Sequence, residues 1–124
     1  MLDAVQREAS AALDVALADL DLPRLSEYGL GVARQGAELT LRFADGWSHG
    51  NEVIFDWDPT VVLARVAEVA QEYAMERFSV VVPVCDQHNA GLHVEVADAR
   101  PVWYCSIGSH MRAAVGELIT RLGR

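Results

Sequence analysis

Both cysteines and three of the four histidines of this chain lie between Pro83 and His110. Each cysteine has a histidine within five residues, in the pairs Cys85-x2-His88 and Cys105-x4-His110. For a thiolate and an imidazole so spaced to face one point, the backbone between them must turn tightly. The last third of the chain is therefore expected to hold two tight turns. Between them, Leu92 to Ala97 and Val102 to Cys105 flank Asp98-Ala99-Arg100-Pro101 and read as a hairpin. An antiparallel hairpin brings its open ends together, returning Cys105 to the Cys85–His88 turn. Gly91 and Gly108 give those turns backbone freedom.

Over residues 83–110 this pattern resembles a zinc ribbon. The resemblance implies one structural Zn²⁺ held by Cys85, His88, Cys105 and His110, pinning a hairpin that alone would be marginal in water. It departs from the commoner patterns in that each pair is mixed, one thiol with one imidazole. A turn at residues 98–101 pairs Ala97 with Val102 and sets Val94 opposite Cys105, with His93 one residue away. A bulge would exchange His93 for His88 as a ligand; the spacing favours His88. The plainer alternative is two buried thiols beside surface histidines, since free cysteine is among the most buried residue types. A disulfide is disfavoured if the compartment is reducing.

A catalytic metal is the rival reading. Zinc deaminases place an H-x-E element before P-C-x-x-C. Here His93-Val94-Glu95 follows Pro83-Val84-Cys85, and the second cysteine is missing. Four protein ligands also leave no open position for water, so a metal-dependent hydrolase would have to use an incomplete set. There is no G-x-S-x-G, no P-loop, and no dinucleotide fingerprint beyond Gly29-Leu30-Gly31. Ser109-His110 lacks a third member. Asp56 and Asp58 flank Trp57 at a helix start, where capping accounts for Asp58. The loop Gly46-Trp47-Ser48-His49-Gly50 has binding chemistry, but a half-buried tryptophan in a hairpin loop is the simpler account.

The remainder alternates between two hydrophobic periods. Leu2, Val5, Ala9, Leu13, Ala16 and Leu20 recur every three or four residues, one stripe of a helix from Leu2 to Leu22 that Pro23 stops. Leu30–Arg34, Glu38–Phe43 and Glu52–Trp57 read as a three-stranded antiparallel meander, with Leu39, Leu41 and Phe43 facing in. Asp58-Pro59-Thr60 starts a second helix reaching about Arg77, with Leu63, Val66, Ala67, Ala70, Tyr73 and Ala74 inward. Ser79–Val84 reads as a buried strand, and Met111–Leu122 as a short closing helix. The expected fold is one α+β domain over residues 1–124: a helix–meander–helix core over 1–82, and a zinc-ribbon-like hairpin with its short helix over 83–124.

The formal net charge is −8, and all basic residues are arginine. From Cys85 onward acids and arginines balance at four each, so even the cysteine–histidine segment lacks the basic footprint of a nucleic-acid binder. No apolar run approaches the roughly 18 residues that span a bilayer. The start of the chain has no basic region before an apolar stretch, which makes a cytoplasmic location the expectation. The element order and acidity resemble class I type III secretion chaperones, which implies a dimer binding an extended polypeptide. The function expected first is a small zinc-binding, non-enzymatic interaction or regulatory module. With 52% hydrophobic residues, self-association or a protein partner is expected.

Overall fold

A computed structural model describes residues 2–36, 38–49 and 58–118. The chain runs through α1 (Leu2–Leu20), α2 (Pro23–Glu27), β1 (Gly31–Gln35), β2 (Glu38–Arg42), α3 (Pro59–Phe78), β3 (Val84–Cys85), β4 (Ala90–Gly91), β5 (His93–Ala97), β6 (Arg100–Cys105) and β7 (His110–Ala114). This is an α+β fold with antiparallel sheets. Its strands form the pair β1-β2, the pair β3-β4 and a three-stranded sheet β5-β6-β7. No described helix is long and apolar enough to cross a membrane.

α1 and α3 pack along each other, and the strands pack against them. The stripe of α1 forms as its spacing requires: Ala9, Leu13, Ala16 and Leu20 are buried. On α3, Val66, Ala67, Ala70, Tyr73 and Ala74 are buried, while Leu63 is only partly covered. Asp58 caps α3 by accepting a hydrogen bond from the Thr60 amide at 2.9 Å, with Pro59 in the first turn. In β2 and directly after it, Leu39, Leu41 and Phe43 are buried as expected, but so is Thr40. β2 is therefore covered on both faces. The buried Tyr73 hydroxyl donates to the Leu41 carbonyl at 2.8 Å and accepts from the His49 amide at 3.0 Å, tying α3 to the loop after β2.

Four sequence expectations differ from the structure. The chain reverses at Asp21 (φ +50), and Pro23 then opens a further short helix instead of only ending the first. After α3, Ser79 takes a left-handed conformation, with Ser79 and Val80 amides closing back on Met75 and Ala74 carbonyls. That cap spends the residues expected to begin a strand, and only Val84–Cys85 pairs. The β5-β6 turn holds two residues, Asp98-Ala99, so Pro101 lies inside β6 opposite Val96 and Val94 faces Trp103. Finally, His110–Ala114 is a strand, not the start of a helix, because the tight turn after Cys105 sends the chain straight back along β6. The expected strand at 52–57 and the residues from 119 onward lie outside the described residues.

One hydrophobic core includes residues of both halves of the chain, among them Leu13, Leu20, Tyr73, Cys85, Trp103, Ala113 and Leu118. Asp19 ties it together from within, only 2% exposed. Its carboxylate accepts hydrogen bonds from Trp103 Nε1 at 2.7 Å, the Gly116 amide at 2.5 Å and the Leu118 amide at 3.2 Å. An acid in the last turn of a helix opposes the helix dipole; three donors from the C-terminal sheet and the turn after it give this one its place. Removing it would leave those donors unpaired in the core. Asp19→Ala is expected to cost about 3–5 kcal/mol in urea denaturation; a loss below about 1 kcal/mol would mean the clamp contributes little.

Both turn residues of β5-β6 have positive φ, Asp98 at +53° and Ala99 at +61°. A two-residue hairpin turn of this kind favours glycine at the second position, and alanine there is strained. Ala99→Gly is expected to stabilise the fold by about 0.5–1 kcal/mol. The check is the denaturation midpoint at unchanged slope.

Candidate metal centre

Cys85 and Cys105 each begin a tight hairpin loop with the same backbone plan. In the first, Cys85 pairs with Ala90 across Asp86-Gln87-His88-Asn89. In the second, Cys105 pairs with His110 across Ser106-Ile107-Gly108-Ser109. Each loop closes on a residue of positive φ, Asn89 at +51° and Ser109 at +50°. Asparagine tolerates that conformation through its short polar side chain. The loops can be laid over one another position by position. His88 then falls where the second loop has Gly108, and His110 falls where the first has Ala90.

The two loops bring their four side chains together. One donor atom from each of Cys85, His88, Cys105 and His110 lies within 4.8 Å of the other three, a group able to hold a metal ion. Cys85 Sγ is 3.5 Å from His88 Nδ1 and 3.7 Å from His110 Nε2, and Cys105 Sγ is 3.5 Å from His88 Nδ1. Both thiols are free and wholly buried. His88 is exposed and His110 half-buried, so the cluster lies between core and solvent.

Gly108 makes room for this arrangement. A Cβ at that position would overlap both imidazoles, meeting His110 Cδ2 at 2.6 Å. Its amide also points at the cluster, donating to Cys105 Sγ at 3.5 Å. Burial pushes the Cys85 thiol up. Hydrogen bonds from His88, from the backbone amides of Gln87 and His88, and from His110 outweigh it and bring the thiol down to about 6. Cys85 therefore favours the thiolate, the form that binds metal.

The cluster is fastened to the fold at several points. Arg112 on β7 donates to Asp86 Oδ1 in the first loop at 2.6 Å, linking the two hairpins through a pair outside the donor set. The Leu92 amide donates to the Pro83 carbonyl at 2.9 Å, closing the base of the first hairpin. Beneath that base, the Gln71 side chain of α3 reaches two further carbonyls.

His93, the alternative ligand, lies apart from the cluster. Its Nε2 is 3.0 Å from Glu95 Oε2, and its ring packs edge-on to Tyr104 at 5.5 Å. The two-residue turn sets the register that pairs it with Tyr104. The Trp47 loop is occupied in packing as well. Trp47 lies edge-on to Phe43 at 5.7 Å and Tyr73 at 5.3 Å. Arg77 fills the space beside it, its guanidinium 4.6 Å from the Phe43 ring centre and 4.8 Å from that of Tyr28. The same guanidinium grips Asp45 at 3.1 and 2.5 Å and holds that carboxyl below its ordinary range.

Sequence reasoning found the four clustered residues but missed Gly108 as the space-maker, Gln71 and Asp19. A polar residue in mid-helix reads as solvent-facing, and no spacing rule separates one that grips a neighbouring hairpin. Comparison of the chain with protein-family models, with curated proteins and with solved structures returned no match.

Proposed function

We propose that Cys85, His88, Cys105 and His110 hold one structural Zn²⁺, and that the chain is a small non-enzymatic interaction or regulatory module built around a zinc-ribbon-like pair of loops. The observation that carries this reading is the spacing of the donors. Tetrahedral zinc, with Zn–S near 2.3 Å and Zn–N near 2.05 Å, sets sulfur and nitrogen about 3.5–3.6 Å apart. Three of the four sulfur–nitrogen separations, at 3.5, 3.7 and 3.5 Å, fit that edge. Two thiolates and two imidazoles form a complete set for structural zinc and leave no position for a reacting water.

The nearby acids are engaged elsewhere, Asp86 with Arg112 and Glu95 with His93, which supports a non-catalytic role. Ile107, at the tip of the second loop, is 67% exposed, and Met111 and Val96 on the same sheet are also exposed. Apolar side chains held outward on a metal-braced scaffold suit contact with a protein partner.

Elemental analysis of protein purified without a metal-affinity tag is expected to find zinc at about one equivalent per chain. Cys105→Ser keeps the volume and removes a thiolate. It is expected to lose the metal and to speed amide exchange over residues 83–110, with α1 and α3 still protected. Metal-free wild-type protein, or unchanged exchange in the variant, would reduce the cluster to two buried thiols beside two histidines.

Gly108→Ala tests the same geometry without touching a ligand. The added methyl must push the imidazoles off their positions, so zinc affinity is expected to fall about tenfold to a hundredfold. Competition with a chromophoric chelator measures it, and equal affinity in variant and wild type would refute the steric argument.

A further inference from the structure

We infer that Gln71, a residue of α3 outside the donor set, is a positioning residue for the metal centre; this rests on the zinc reading above. Its Nε2 donates to the Val82 carbonyl at 3.1 Å and to the Leu92 carbonyl at 2.8 Å. Those carbonyls stand on the two sides of the hairpin that carries Cys85 and His88, one on the chain entering it and one on the chain leaving it. A primary amide has two N–H donors in a fixed plane. One rigid group thus spans both legs of the hairpin and sets their separation.

The two ligand loops differ in how much support they receive from their own strands. The second loop grows from β6 and β7, paired from Val102↔Ala114 to Cys105↔His110, and β6 is also clamped by Asp19 through Trp103. The first loop has only Val84↔Gly91 and Cys85↔Ala90. A ladder that short does not hold its own register in water. Contacts from outside must hold it. Arg112 fastens the tip at Asp86, on the solvent side. Gln71 fastens the base, on the side of the core. Close packing completes the seat: a Cβ on Gly91 would lie 2.6 Å from Val81 Cγ1, so the leaving leg already rests on the entering one.

Through the legs Gln71 acts on both ligands of the first loop. Cys85 immediately follows β3's first residue, and His88 is held in the turn by the Asn89 amide closing on the Cys85 carbonyl at 2.8 Å. Splaying the legs would move the Cys85 sulfur and the His88 ring away from Cys105 and His110, which the larger sheet keeps in place. Without the amide, the two carbonyls would also lose their side-chain donor, and the backbone would have to shift to find water.

The test uses the full-length chain, stripped of metal and titrated with Co²⁺ alone, then with Zn²⁺ in competition. Gln71→Met keeps length and shape without a donor, and Gln71→Glu keeps shape but sets oxygens against the two carbonyls. In wild type, Co²⁺ is expected to give the intense d–d absorption of a four-coordinate sulfur–nitrogen site. In both variants its affinity is expected to fall about tenfold to a hundredfold. The d–d band should weaken and shift as His88 gives way to water. A residue that only stabilised the fold would lower the denaturation midpoint and leave that band unmoved. If wild type takes up Co²⁺ and both variants match its affinity and spectrum, the role of Gln71 is refuted and the metal centre stands. If wild type takes up neither Co²⁺ nor Zn²⁺, the metal reading itself fails.

Discussion

The carboxylate of Asp19 is the contact on which the rest of the arrangement depends. It is buried at the end of α1 and accepts from a side chain on β6 and from two backbone amides in the turn after β7. A buried carboxylate with so many donors aimed at it is satisfied in one arrangement only, since leaving any of those groups unpaired is costly. That fixes the three-stranded sheet against the helix pair in both position and rotation. Trp103, wholly buried, sits at the joint and hands the constraint along β6 to Cys105 two residues later. The Cys105–His110 loop therefore inherits its place from α1. The Cys85–His88 loop takes its place from α3, through Gln71.

The elements that were legible in the sequence are those whose signal is local. The stripe of α1, the Asp58-Pro59 start of α3 and the alternation around Leu39 and Leu41 each state a period or a cap within a few residues. The four clustered residues were legible for a related reason, because ligand spacing within a turn is a local property. What was not legible depends on caps and turns that override the composition of the segment. Ser79–Val84 has the apolar, β-branched composition of a strand, but the left-handed cap at Ser79 turns the chain away, and of these residues only Val84 pairs, with Gly91. Met111–Leu122 reads as a helix from its alanines and leucines, yet the loop after Cys105 has already committed His110–Ala114 to β6. The misplaced turn at Asp98-Ala99 has a third cause. Alanine is a poor match to positive φ, so nothing at that position advertises a two-residue hairpin.

The same distinction applies to the site. Which residues gather was legible; how they gather was not. The overlay of the two loops puts a histidine at the fourth position of one and a glycine at the fourth position of the other. Had both positions carried imidazoles, the rings would have met in the space that Gly108 leaves clear. Moving the second histidine to the sixth position, onto β7, brings its ring in from the sheet side instead. His88 therefore presents Nδ1 from a loop, and His110 presents Nε2 from a strand. The unequal spacings, Cys-x2-His and Cys-x4-His, are what two similar loops need in order to converge on one point from different directions.

Charge explains why a mixed donor set suits this place in the fold. The sulfurs are wholly buried at the edge of the core, in a chain whose formal net charge is already −8. Imidazole and backbone donors favour the Cys85 thiolate, but a second thiolate beside it would add like charge that a cation would balance. On the zinc reading, one Zn²⁺ with two thiolates and two neutral imidazoles is neutral overall, so nothing net is buried. Four thiolates around the same ion would leave two negative charges at the edge of the core, where Arg112 is already committed to Asp86. The two histidines also face the solvent side, where their remaining ring nitrogens can reach water. On that reading, sulfurs inward and imidazoles outward is the least costly way to set the ion into this edge of the core.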